Sequence, residues 1–166
     1  MFFVGSMDVE NADFFKTVEQ LREVFGISVC PTCCPVMEGE KMVALIDFVE
    51  RNMKVYKNGV PEVKPLPEDL GDEANALWDM MSESVAETSE ELMEKFFNGE
   101  YFSREETING LRAGIADGSI APVLCGSAVT LEGIDNVLET IVSATPSPAD
   151  KGDIKAEIDG REGALR

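Results

Sequence analysis

The chain has 166 residues, with 14 Lys and Arg against 32 Asp and Glu, no His, a net charge of −18 and a pI near 4.2. That balance excludes a nucleic-acid-binding surface, which needs basic patches. At 44% hydrophobic residues the composition is globular, and a chain of this size buries roughly two-thirds of its unfolded surface. No apolar run approaches the roughly 20 residues of a membrane span. The opening Met1-Phe2-Phe3-Val4 runs into Gly5-Ser6, too short for a signal peptide. The expectation is a soluble, cytoplasmic protein with no membrane contact.

Phe2 to Val4 is a short apolar run ending at Gly5, as in a buried parallel strand. A helix is predicted next. Phe14, Val18, Leu21 and Phe25 recur at helical steps, with Glu19, Gln20, Arg22 and Glu23 on the other side. Asn11 or Asp13 is a natural N-cap and Gly26 a natural stop. From Ile27 to Val63 the pattern turns to short β-type runs, Ile27–Cys30, Met42–Val49 and Met53–Tyr56, punctuated by Pro31, Pro35, Gly39, Asn58-Gly59 and Pro61. A small antiparallel sheet is expected there.

Three of the four cysteines fall in Cys30-Pro31-Thr32-Cys33-Cys34. Cys30-x-x-Cys33 has zinc or redox spacing, and Cys34 and Cys125 could complete a ligand set. A redox pair favours a helix start, however, and Cys34-Pro35-Val36-Met37 reads as extended. The cysteines are expected to act as small buried apolar residues.

Pro65 and Pro67 lead into the longest predicted helix, about residues 67 to 86. At 100° per residue from Asp72, the apolar Leu70, Ala74, Leu77, Met81 and Val85 lie between about 140° and 220°. Glu68, Asp69, Asp72, Asp79, Glu83 and Glu87 lie within about 60° of the opposite pole. No Lys or Arg shares that stripe. Like charges at i,i+4, as in Asp79 with Glu83 and Glu83 with Glu87, each cost about 0.2–0.5 kcal/mol. A charged stripe is usually a solvated face, but this uncompensated repulsion is what a basic partner would relieve.

Two capped helices follow. Thr88-x-x-Glu91 and Ser103-x-x-Glu106 have capping-box spacing. Leu92, Phe96 and Phe97 are expected to face a core in the first, and Ile108, Leu111 and Ile115 in the second. Asn98-Gly99 and Asp117-Gly118 end them. Ile120 to Cys125 reads as a buried strand, Gly126-Ser127-Ala128 as a tight loop, and Ile134, Val137, Leu138 and Ile141 as the apolar side of a final helix. Pro146-Ser147-Pro148 ends that helix, and residues 147–166 read as a linker toward a further domain.

The sequence contains no Gly-x-x-x-x-Gly-Lys-Ser/Thr loop, Gly-x-Gly-x-x-Gly or Gly-x-Ser-x-Gly. Without histidine the commonest general base and the His-activated nucleophiles are missing. No catalytic residue or metal site is assigned.

Two strand-to-loop junctions, one ending in Asp8 and one at Gly126-Ser127-Ala128, sit where α/β proteins place ligand contacts. Taken with Asn11-Ala12-Asp13-Phe14-Phe15-Lys16, with Glu87-Thr88-Ser89-Glu90-Glu91-Leu92-Met93-Glu94-Lys95-Phe96, with Pro122-Val123-Leu124-Cys125-Gly126-Ser127-Ala128 and with the exit Pro146-Ser147-Pro148, residues 1–150 resemble the guanine-recognition half of a translational GTPase. The resemblance is to elongation factor G and its ribosomal-protection relatives.

It implies an α/β fold with an α+β insert. Residues 1–26 and 120–146 would be the end of a P-loop GTPase-type parallel sheet, and 27–119 an inserted subdomain of a small antiparallel sheet plus three helices. The family's Asn-Lys-x-Asp signature falls on Gly5, Ser6, Met7 and Asp8, and only the aspartate is kept. By the resemblance Asp8 would accept from the guanine N–H groups, and the Ser127-Ala128 loop would give a backbone N–H to the guanine oxygen. The family binds GTP or GDP with magnesium, but its phosphate loop and switches lie outside the matching segment, so neither useful GTP binding nor hydrolysis is expected of this chain alone. The resemblance also implies a ribosomal partner. The inserted subdomain would contact the C-terminal domain of the large-subunit stalk protein through Glu68, Asp69, Asp72, Glu73, Asp79, Glu83 and Glu87. The alternative is a stand-alone acidic interaction module that has lost the nucleotide.

Overall fold

A computed structural model describes the backbone of residues 1–39, 41–151, 154–158 and 161–165, and the side chains of residues 1–39 and 41–150. The chain is a mixed α/β protein with a three-stranded parallel sheet, a separate four-stranded antiparallel sheet and five helices among the described residues. This is the α/β fold with an α+β insert that the sequence predicts.

The parallel sheet has β7 (Ala121–Cys125) at its centre, flanked by β1 (Phe2–Val4) and β2 (Val29–Pro31). Phe3 pairs with Leu124, and Cys30 with Pro122. Helix α1 (Phe14–Phe25) connects β1 to β2. Asp13 is its N-cap, its Oδ1 accepting from the Lys16 N–H at 3.0 Å, and Gly26 ends it. The run 27–30 is expected in the antiparallel sheet; instead Ile27 and Ser28 belong to a 3-10 turn, and Val29 and Cys30 join the parallel sheet in β2. All three β2 residues are buried, as in a strand covered on both faces.

The antiparallel sheet therefore begins at Cys33. Its order is β3 (Cys33–Glu38), β4 (Lys41–Asp47), β5 (Asn52–Lys57), β6 (Val60–Pro65). Sequence reading missed β3 and β6 because prolines taken as breaks or flanks lie within them, Pro35 in β3 and Pro61 and Pro65 in β6. β3 and β6 are edge strands, where proline is tolerated.

Helices α2 (Asp72–Ala86), α3 (Glu90–Phe97) and α4 (Arg104–Asp117) follow. Helix α2 packs on β2, and α3 and α4 pack on α2. The start of α2 is later than its predicted residue 67. Gly71 sits at φ +80°, ψ 160°, and its N–H is held by Asp69 Oδ1 at 2.8 Å, so helical geometry begins only at Asp72. Ser103 and Glu106 form the expected capping box on α4. On α3 the cap is Ser89 and not Thr88, whose hydroxyl turns back to the Val85 carbonyl at 2.7 Å.

Helix α5 (Ile134–Ala144) follows β7 and packs against α4. Three core expectations fail. Phe25, on the apolar side of α1, is 52% exposed and Phe97 is 79% exposed, and on α5 the buried residues are Asn136, Thr140 and Ala144, while Leu138 and Ile141 face out. The tail expected as a linker contains two paired strands, β8 (Ile154–Ile158) and β9 (Arg161–Leu165).

The core is continuous across both sheets, from Phe14 and Val18 through Val29, Cys30, Leu45 and Phe48 to Leu77, Val85, Leu111 and Val123. Cys30, Cys33, Cys34 and Cys125 are all buried free thiols. The Sγ atoms of Cys33 and Cys125 lie 3.7 Å apart where the two sheets meet. Among the described residues no group of His, Cys, Asp and Glu could hold a metal ion. No helix among them is long and apolar enough to cross a membrane.

Candidate functional site

The two strand-end loops meet. Gly126 N–H donates to the Val4 carbonyl at 3.1 Å, and Met7 N–H donates to the Gly126 carbonyl at 3.1 Å, so the Asp8 loop is tied to the Ser127 loop. Buried Met7 anchors the first loop into the core. Gly126 is needed because a Cβ there would lie 2.3 Å from the Glu132 carbonyl oxygen. Ser127 is buried and holds the second loop together. Its N–H donates to the Glu132 carbonyl at 2.9 Å, and its Oγ accepts from the Val129 and Thr130 N–H groups at 3.1 and 3.2 Å. The amide of Ser127 is thus already committed, and the exposed Ala128 carries the loop's candidate donor.

Asp8 Oδ1 is buried without a hydrogen-bond partner. A buried acceptor left in this state needs a donor. Ser6, in the same loop, lies in the left-handed region at φ 60°.

The second candidate surface lies on α2. Its buried residues are Ala74, Leu77, Met81, Ser84, Val85 and Ala86; Ala74, Leu77, Met81 and Val85 match the apolar arc read from periodicity, Ser84 flanks it, and Ala86 is buried on the opposite side, in the helix's last turn. Asp72, Glu73, Asp79, Glu83 and Glu87 are exposed, and so are Glu68 and Asp69 on the strap before the helix. The seven are therefore not on one helix. Five belong to α2 or its C-cap and two to the strap. None of the seven takes part in an ion pair among the described residues. Asp72 and Glu73 sit in the first turn, where the helix dipole favours them. Glu83 and Glu87 sit at the other end, where no basic residue offsets them. The two like-charge pairs, Asp79 with Glu83 and Glu83 with Glu87, each cost about 0.2–0.5 kcal/mol, against the favourable dipole of the first turn.

Beside this face, sequence reading missed a groove of about 650 Å³ between the strap, α2 and the turn after α3. Glu68, Asp69 and Asp79 lie on it, with Trp78, Phe96 and Tyr101. Arg51, in the left-handed region at φ 52°, places its guanidinium 5.6 Å from the Trp78 ring and 5.9 Å from the Tyr101 ring, and donates to the Phe102 carbonyl. The available signals were a lone tryptophan flanked by Asp79 and a Tyr101-Phe102 pair just past a turn.

A charge cluster around buried Lys54 and Asp47 fastens the antiparallel sheet to α5. Lys54 Nζ on β5 lies 3.5 Å from Asp47 Oδ2, 3.1 Å from Asp135 Oδ2 and 2.5 Å from Glu139 Oε2. Tyr56 Oη donates to Asp135 Oδ1 at 2.9 Å. Burial pushes the Asp47 carboxyl above its usual range, more than the neighbouring N–H groups and Lys54 lower it. Burial alone would lower Lys54, but Glu139, Asp47 and Asp135 together hold it above its usual value.

No family model matches the chain. A protein of known crystal structure from Thermus thermophilus is similar to it, with a TM-score of 0.78 and 29% sequence identity over 93% of this chain. The name of that protein states no activity. The chain spans about a quarter of its length, 23%.

Proposed function

We propose that this chain is the guanine-reading end and inserted subdomain of an elongation-factor-G-like translational GTPase, and that the carboxylate face of α2 recruits it to the ribosome through the C-terminal domain of the large-subunit stalk protein. The observation that carries the reading is the exposed face Asp72, Glu73, Asp79, Glu83 and Glu87, without ion pairs among the described residues. A basic partner relieves its repulsion and is steered to it by charge. The joined Asp8 and Ser127 loops, with the orphan Asp8 Oδ1, support the guanine part. GTP or GDP with magnesium is the ligand of the whole protein in this reading. The chain alone offers Asp8 and Ala128 to the base, and hydrolysis is not assigned to it.

Calorimetric titration with the stalk C-terminal domain tests the proposal. Binding that weakens as salt rises and is lost when Asp72, Asp79 and Glu83 are made neutral supports it. No heat at low salt refutes it.

A further inference from the structure

We infer that the groove beside the carboxylate face receives a bulky apolar side chain flanked by lysine or arginine, presented by a short segment of a partner protein. The inference rests on the partner reading above and adds the chemistry of the contact. The groove, at about 650 Å³, falls within the roughly 300–1,000 Å³ of pockets that bury a ligand. Its floor is aromatic and aliphatic, with Leu66, Leu70, Trp78, Phe96 and Phe102. Its rim is acidic, with Glu68, Asp69, Asp79 and Glu100.

Among the described residues Arg51 is the single cation on this lining, and it is already held by the Phe102 carbonyl and the two rings. The rim therefore presents four carboxylates against one engaged cation, which repels an acidic segment and attracts a basic one. Tyr101 is 80% exposed, and an exposed aromatic face is a platform for a lysine or arginine. An aromatic anchor pocket inside a charged rim is how protein interfaces concentrate affinity. The same features disfavour a nucleic-acid or anionic-membrane occupant, whose phosphates would face the carboxylates.

Trp78 is the only tryptophan, so its emission reports occupancy of the groove directly. The probe is a synthetic peptide with one phenylalanine between lysine pairs, titrated into the full chain. A saturable change in Trp78 emission is expected, with affinity falling about five-fold in Tyr101→Ala and again in Glu68→Gln/Glu100→Gln. Peptides with serine for phenylalanine, or glutamate for lysine, give no saturable change. Lack of saturation with the lysine peptide, or equal affinity in all variants, overturns the inference. Tyr101 and the two glutamates are exposed, and a circular dichroism melt confirms that each variant folds.

Titrating the stalk domain in parallel separates this inference from the reading it rests on. If Glu83→Gln/Glu87→Gln weakens stalk binding and Tyr101→Ala does not, the groove inference falls and the recruitment reading stands. If the peptide responds to the groove variants while the stalk domain binds neither protein, the recruitment reading falls and the groove remains a basic-peptide site.

Discussion

Lys54 is the residue whose removal is expected to loosen the antiparallel sheet from α5. It is 3% exposed, with three carboxylates within 3.5 Å of its ammonium. Lys54→Met keeps most of the buried stem and removes the charge. Glu139 and Asp135 retain contact with water, so the uncompensated group is Asp47, which is buried on β4. Stranding one partner of a buried pair costs about 3–5 kcal/mol, and the low end applies because Asp47 can take up a proton. At about 2–4 °C per kcal/mol for a chain of this size, the midpoint of thermal unfolding falls by roughly 6–12 °C.

The sign of the pH dependence follows from the direction of the Asp47 shift. Its folded pKa lies above its usual 3.8, so stability is lost as pH rises from that usual value to the folded one and stays lost above it, and the Lys54→Met deficit shrinks on acidification back through that window. Asp47→Asn in the Lys54→Met background removes the stranded charge. Oδ1 remains to accept from the Val49 and Glu50 N–H groups, both at 3.0 Å, and most of the loss is recovered. Circular dichroism melts across pH measure all of this. A fall of less than about 2 °C, or no recovery with Asp47→Asn, refutes the idea that a buried charge balance holds this junction.

Three further outcomes follow from local geometry. Gly126→Ala places a Cβ 2.3 Å from the Glu132 carbonyl oxygen and is expected to cost at least about 2 kcal/mol in urea unfolding; an unchanged midpoint contradicts the close approach of the two loops. The Glu106 carboxyl is held at about 2, first by the Lys95 ammonium and then by the Ser103 backbone N–H. Its folded pKa is below the usual 4.5, so its contribution is present above that value and fades as pH falls toward 2. An NMR titration of Lys95→Met will show the midpoint moved up, and an unmoved midpoint excludes Lys95 as the cause. Burial pushes the Cys30 and Cys34 thiols up to about 12, and all four cysteines are buried. The native chain should resist a thiol-reactive dye at neutral pH and label fully in denaturant, whereas rapid native labelling would contradict the inert apolar role.

Periodicity made the helices legible because an amphipathic helix repeats its apolar contacts. Phe14 and Val18 on α1 and Ala74, Leu77, Met81 and Val85 on α2 are buried as that pattern requires. Strand partnership was not legible. Val29–Pro31 carries no mark that its neighbour is β7, far along the chain, and not β3. Proline misled in β3 and β6 because only the sheet order reveals an edge strand. The outward Leu138 and Ile141 on α5 show the converse, since there polar Asn136 and Thr140 face inward and Thr140 satisfies its hydroxyl on the Asn136 carbonyl at 2.9 Å. The acidic face could be read from α2 alone. The groove beside it could not, because Arg51, Trp78 and Tyr101 come from three separate segments.

The proposal that the carboxylates of α2 are a recruitment surface is tested most directly by amide chemical-shift mapping of the isotope-labelled chain, titrated with the stalk protein's C-terminal domain. Perturbations are expected to concentrate on Asp72, Glu73, Asp79, Glu83 and Glu87 and on the adjoining strap, and to fade as salt is raised. Perturbations centred on α5 or on β8 and β9, or none at any salt, would contradict it.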